Sequence, residues 1–180
     1  MPLGFFAILG KSGWLRVSRS DRVAKKVKQK AKNLFRRPGF LVRRLHQIYV
    51  AIYLKECERF GTTPVQTSIM QVLLDKPGLD QVALAAEIGM DRTTTSNVLT
   101  RLEKRGIIRR EEAEKDRRVR LAFLTEEGSA MLSDMQGALD KAHSRLIAPL
   151  PESERETFIE HLALLVESNN DAGRTVLRNL

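Results

Sequence analysis

Between Asp91 and Gly106 the chain carries two unlike faces at helical spacing. Val98 and Leu102 lie four apart, and Leu99 joins them from the next row, so one side of the predicted helix is apolar. The other side holds Arg92, Thr93, Thr94, Ser96, Asn97, Thr100 and Arg101, with no apolar stripe. Asp91 is the expected N-cap, because its carboxylate accepts the free N–H groups of a first helical turn. Gly106 supplies the positive-φ residue that ends a helix. Two strands are predicted next, Ile107 to Glu111 and Val119 to Leu124, with Glu114 to Arg118 near the tip between them. Upstream, Thr63 caps a helix that Pro64 opens, with Val65, Ile69 and Leu73 on one face. Residues 75–79 predict a turn, Gln81 to Ile88 a second short helix, and Gly89 redirects the chain toward Asp91. A helix, a glycine turn, a helix with a polar face and a basic hairpin make the layout of a winged helix-turn-helix. The expected fold class is mainly α with a small β-wing (α+β), flanked by further helices. The bland alternative is an antiparallel helix pair with a surface hairpin.

Those flanking helices are strongly apolar. Leu41, Leu45, Ile48, Ile52 and Leu54 leave a broad face on the first. Met131, Met135, Leu139, Ala142 and Leu146 step along the helix after the wing. Phe158, Leu162 and Leu165 repeat the pattern in a last helix starting near Pro151. A small winged core cannot by itself bury all of them; helix packing within one chain is one answer, and a two-fold dimer through terminal helices explains the apolar area better and is the expectation. The expected organisation is a basic, flexible arm over 1–35, a first dimerisation helix within 36–62, the DNA-binding lobe over 63–128 and C-terminal dimerisation helices over 129–180.

Charge refines this picture. The net charge is +9 over 180 residues. Residues 1–37 hold eleven Lys and Arg against Asp21 alone, +10, which leaves −1 for the rest. The high pI therefore reports the arm, not the body. The local excess matters more: residues 91–120 hold ten bases and six acids, +4 where a duplex would lie. The lysine run from Lys25 to Lys32 reads as a solvated tail, or alternatively as an arm for DNA phosphates or another anionic surface. No apolar run approaches the length of a membrane span, and the apolar start lacks the basic flank of a secretory signal. A lone cysteine, Cys57, excludes an internal disulfide framework and suits a cytoplasmic location. His46, His143 and His161 make no metal-ligand spacing, and no phosphate loop or nucleophile elbow occurs. Neither an enzyme, a metal site nor a cofactor is expected, and no membrane partner.

Four segments together point to a family: Leu79 to Gly89 (LDQVALAAEIG), Asn97 to Gly106 (NVLTRLEKRG), Asp116-Arg117-Arg118 and Leu124 to Gly128 (LTEEG). Over 63–128 the chain resembles the winged-helix core of the MarR family of transcriptional regulators, and more loosely over 38–178. Residues 1–35 match nothing in that pattern. The resemblance implies a homodimer that binds an inverted repeat in double-stranded DNA, acting as a repressor. Arg92, Thr93, Thr94, Ser96, Asn97, Thr100 and Arg101 are the expected major-groove contacts, with Asn97 suited to adenine and the arginines to guanine or phosphate. Arg117 and Arg118 are expected at the minor groove or its phosphates, one of them oriented by an ion pair with Asp116.

The first helix holds the candidate effector site. Arg36, Arg37, Arg43, Arg44, His46, Tyr49 and Tyr53 combine cations with aromatic rings, and His46, Tyr49 and Tyr53 share one face. Such a set suits a planar phenolic acid. The alternative is that the rings are packing residues and the arginines solvated. The helix is similar to that of family members controlling aromatic-acid (hydroxycinnamate-type) catabolism, so the implied effector is a small aromatic acid or its coenzyme A thioester. The doubled arginines favour the thioester, which carries phosphates. Two rival functions remain: thiol-based redox sensing through Cys57, with Glu56 and Glu58 beside it opposing a thiolate, and non-specific architectural DNA binding. A membrane-associated adaptor using the apolar start and the lysine run is a third.

Overall fold

The computed structural model describes Ser20, Val23, residues 33–173 and residues 175–177. Most of the basic arm, including Lys25 to Lys32, lies outside the described residues. Two units are distinguished, Met1–Leu45 and His46–Leu180. In the first, Phe35 and Phe40 meet edge to face at 5.3 Å, and the Arg43 guanidinium lies 5.4 Å from the Phe40 ring centre.

Helix α1 runs Pro38–Glu56 and is followed by a short 3-10 turn, Glu58–Phe60. Helix α2 is Pro64–Asp75, strand β1 Leu79–Asp80, α3 Gln81–Glu87 and α4 Arg92–Lys104. The wing is β2, Ile108–Ala113, and β3, Asp116–Leu124; α5, Glu126–Ile147, α6, Glu152–Ser168, and a second 3-10 turn, Asn170–Ala172, follow it. A winged helix-turn-helix is thus observed, mostly helical with one three-stranded antiparallel sheet of order β1-β3-β2.

Local chemistry accounts for the boundaries. Thr63 and Gln66 form a reciprocal capping box at the start of α2, with Pro64 in the first turn. Asp80 caps α3 by accepting the N–H groups of Val82 and Ala83. Asp91 caps α4 as expected, its Oδ1 2.9 Å from the Thr94 N–H donor. The end of α4 is a paired closure: Ile107 N–H donates to Leu102 O and Gly106 N–H to Glu103 O, at 3.0 and 2.9 Å. That geometry places Gly106 at φ +70, which a side chain resists.

The strands are longer than the sequence predicts, reaching Ala113 and starting at Asp116, so the turn shrinks to Glu114–Lys115. The alternating pattern failed there because Glu111, Glu112, Arg117 and Arg118 are all exposed and no face of the ribbon is buried. Leu79, predicted as the end of a turn, and Asp80 form a short strand that pairs with Ala122 and Leu121. Two residues are too few to write a strand period.

The core gathers Tyr53 from α1, Ile69, Met70 and Leu73 from α2, Leu84 from α3, and Leu99 and Leu102 from α4. Ile107, Ile108 and Ala122 seal it from the wing side, and Leu132, Met135 and Leu139 from α5. Thr95 is fully buried in the inner face of α4, its hydroxyl donating to Asp91 O at 2.9 Å. Val98, expected inside, is half-buried. The terminal helices bury far less: Tyr53 alone in α1, and no residue in α6.

Candidate nucleic-acid interface

Packing Thr95, Leu99 and Leu102 inward obliges the opposite face of α4 to point outward. Arg92, Thr93, Thr94, Asn97 and Arg101 are exposed there, with Ser96 and Thr100 half-buried at its margins. The predicted polar residues are therefore brought together on one surface. Thr94 is partly engaged already, since its hydroxyl donates to Asp91 Oδ2 at 2.6 Å. That bond, ahead of the Thr94 backbone N–H, holds the Asp91 carboxyl below the usual carboxylate range.

The wing adds exposed Arg117 and Arg118 on β3, just past the hairpin turn. Asp116 does not act as expected: its Oδ1 accepts the backbone N–H of Arg118 at 2.9 Å, which shapes the turn and leaves the guanidinium outward. Among the described residues, Arg92, Arg101, Arg117 and Arg118 take part in no ion pair. Their charge is available to an external anion.

Other bases on this side serve the protein itself. Glu103 on α4 accepts from Arg110 on β2, Nε at 2.8 Å, and lies 4.0 Å from Arg120 on β3. The Arg110 hydrogen bond is the main reason the Glu103 carboxyl stays below its ordinary range. Arg109 pairs with Glu111 and lies 4.5 Å from the Phe123 ring centre. An open cleft of about 310 Å³ separates helix from wing, with Arg92, Arg110, Arg118 and Arg120 on its walls and Val82 and Leu99 among its apolar lining. A phosphate entering that cleft would meet guanidinium groups on both sides. None of these internal pairings was read from the sequence. Glu103 and Arg110 are seven apart across a helix end, a separation with no periodic meaning.

The candidate effector residues are placed differently from one another. Arg36, Arg37, Arg43 and Arg44 are exposed. His46 is exposed and Tyr49 half-buried, its ring stacked on His143 at 5.5 Å. Tyr53 is buried, and its hydroxyl hydrogen-bonds to Thr62 Oγ1 at 2.8 Å and to Thr67 Oγ1. Burial is the first cause raising the Tyr49 and Tyr53 phenols above their ordinary range. Cys57 is 1% exposed, and burial pushes its thiol up, with the Glu56 charge adding to that; a Tyr53 hydrogen bond opposes the rise. Both observations work against a reactive thiolate. Among the described residues no cluster of metal-ligating side chains occurs, and no helix is long and apolar enough to cross a membrane.

The fold and the outward polar helix beside a basic wing define a winged-helix DNA-binding protein. A family model described as "MarR family" matches residues 62–119. The transcriptional regulator HosA of Escherichia coli O157:H7 is 34% identical over 98 residues, 54% of this chain and 73% of that protein. This chain belongs to the MarR family of transcriptional regulators. A solved structure of the transcriptional repressor CouR bound to a 23-mer DNA duplex superposes with a TM-score of 0.69 at 26% identity, covering 74% of this chain and 94% of the other. The PcaV regulator of Streptomyces coelicolor, in complex with its natural ligand, superposes with a TM-score of 0.67 at 28% identity, with the same coverages.

Proposed function

We propose that this protein is a sequence-specific transcriptional repressor that binds an inverted-repeat operator as a homodimer. The observation that carries the reading is the single outward surface formed by α4 and the wing, where short hydrogen-bonding side chains sit beside unpaired arginines. Short polar groups on a helix read base edges, and arginines hold the backbone. Asn97 is assigned to an adenine, Arg92 and Arg101 to guanine or phosphate, and Thr93, Thr94, Ser96 and Thr100 to either. Arg117 and Arg118 are assigned to the minor groove or its phosphates. The DNA-bound CouR structure supports this docking mode by likeness.

The effector is a small aromatic acid or its coenzyme A thioester. Likeness to a ligand-bound regulator supports a ligand-responsive protein. His46 and Tyr49 are the proposed ring contacts. Tyr53 is the proposed buried back wall, its hydroxyl being held by Thr62 and Thr67. The effector acts through its differential affinity for DNA-competent and DNA-incompetent states.

Fluorescence anisotropy with a duplex enriched by the protein from a random pool, and a shuffled duplex of equal composition, tests the first part. Asn97→Ala is expected to lose about 1–3 kcal/mol, mainly at one base position per half-site. Arg118→Ala is expected to weaken both duplexes and lower the salt slope by about two, one contact being lost from each protomer. Equal affinity of the unmutated protein for both duplexes would overturn sequence-specific binding. A thermal-shift screen with aromatic acids and their thioesters tests the second part, because ligand binding raises the melting temperature by mass action.

A further inference from the structure

The residue that ends α4 reaches a distant turn of the same chain. Arg105 is the C-cap of α4. Its side chain reaches 44 residues back along the chain, Nη1 donating to Gly61 O at 2.7 Å and Nη2 to Phe60 O at 2.8 Å. Those carbonyls belong to the turn that joins α1 to α2. The same turn is tied to α5 on its other side, where Arg59 Nη2 donates to Asp134 O at 3.3 Å and the Arg59 guanidinium lies 4.5 Å from the Phe60 ring centre. Gly61 sits at φ +60, and a Cβ there would lie 3.7 Å from Arg105 Nη2.

We propose that Arg105 is a positioning residue that pins the C-terminal end of the recognition helix to the α1–α2 turn. A planar guanidinium offers two parallel donors at a fixed spacing, and adjacent carbonyls accept both. An ammonium group is a point charge without that fork. The pin fixes the far end of α4 while Asp91 and Thr95 fix the near end, so the angle of the reading face is set from both ends. It also gives any displacement of the end of α1 a direct hold on the recognition helix. A phosphate contact by Arg105 would require these charge-assisted bonds to be surrendered or shared.

This inference rests on the sequence-specific reading above, and two measurements separate their failures. Amide hydrogen exchange in the free full-length protein reads the pin without DNA. Arg105→Ala is expected to speed exchange in the last turn of α4 and at Phe60 and Gly61, leaving the middle of α5 unchanged. Unchanged exchange at those amides overturns the pin whatever happens with DNA. Anisotropy with the enriched and shuffled duplexes over a range of salt then reads its consequence. Arg105→Ala is expected to lose about five- to tenfold on the enriched duplex, with the shuffled duplex and the salt slope unaltered. Arg105→Lys is expected to recover little of that loss, because a phosphate accepts a lysine readily and a pair of carbonyls at fixed spacing does not. Equal losses on both duplexes, a slope lower by about two (one contact per protomer) and full recovery with lysine identify a phosphate contact and overturn the proposal.

Discussion

Asp91 caps α4 through one exposed carboxylate. It accepts the Thr94 N–H and the Thr94 hydroxyl, and these bonds depress its titration in the folded state. The unfolded chain returns it to about 3.9. The stabilisation is therefore complete above that value and is lost as the pH falls through the lower folded value. The melting-temperature gap between the protein and Asp91→Ala should be constant near neutrality and shrink below about pH 4. A gap that ignores pH would show that the cap acts through geometry alone. Tyr53 supplies a buried counterpart. Its hydroxyl satisfies Thr62 and Thr67, which are 3% exposed each. Tyr53→Phe should cost about 1–3 kcal/mol, because it strands polar partners away from water. Urea unfolding should show a lower midpoint with an unchanged slope; an unmoved midpoint would mean the threonines pair with each other. The Asp91 cap was legible in the sequence, since a cap needs only a residue type before an apolar rhythm. The Tyr53 network was not, because a tyrosine at helical spacing reads the same whether its hydroxyl meets a ligand or two distant threonines.

At the scale of elements, glycines separate two kinds of constraint. Gly106 ends α4 at φ +70, and a Cβ there would meet nothing within 4 Å. Its replacement by alanine should cost about 1–2 kcal/mol, the penalty of the left-handed region alone. Gly128 is the opposite case. It sits in α5, where alanine is intrinsically better by about 1 kcal/mol. Yet a Cβ there would lie 2.2 Å from Ile107 O and 3.0 Å from Leu124 Cδ1. The start of α5 is pressed against the entry to the wing, and backbone cannot yield as a side-chain tip can. Gly128→Ala should therefore destabilise by about 3 kcal/mol or more, despite the propensity gain. Chemical denaturation of both variants checks the order; a milder effect at Gly128 would mean that α5 can slide from the wing. The helices of the lobe were readable because one buried face and a capping residue bracket each of them. The wing's extent and the Leu79–Asp80 strand were not, because pairing there is decided by distant partners. The exposure of the polar face of α4 was legible for a negative reason: a helix lacking apolar residues on one side must present that side to something polar.

For the whole molecule, the unanswered surface is α6. Among its residues none is buried, while Ile159, Leu164, Leu165 and Val166 are 47%, 58%, 58% and 48% exposed. Helix α1 likewise leaves Ile48 and Leu54 exposed at 40% and 47%. Exposed aliphatic side chains in this number suit an association face. A second copy of the chain is the proposed occupant, since two-fold pairing through terminal helices sets two reading faces against successive half-sites. Each leucine buried there would contribute up to about 1.5–3 kcal/mol, and a charge in its place would oppose contact at every concentration. Leu165→Arg should therefore sediment as a monomer at concentrations where the unmutated protein is a dimer. Its melting temperature should lose dependence on protein concentration. Leu165 is already exposed within the chain, so the DNA-binding lobe should keep its fold, and the circular dichroism of the two proteins should match in helix content. Operator affinity should fall toward that for an isolated half-site, with a shallower salt slope, because one lobe contacts fewer phosphates than two. A variant that remains dimeric with full operator affinity would move the association face away from α6.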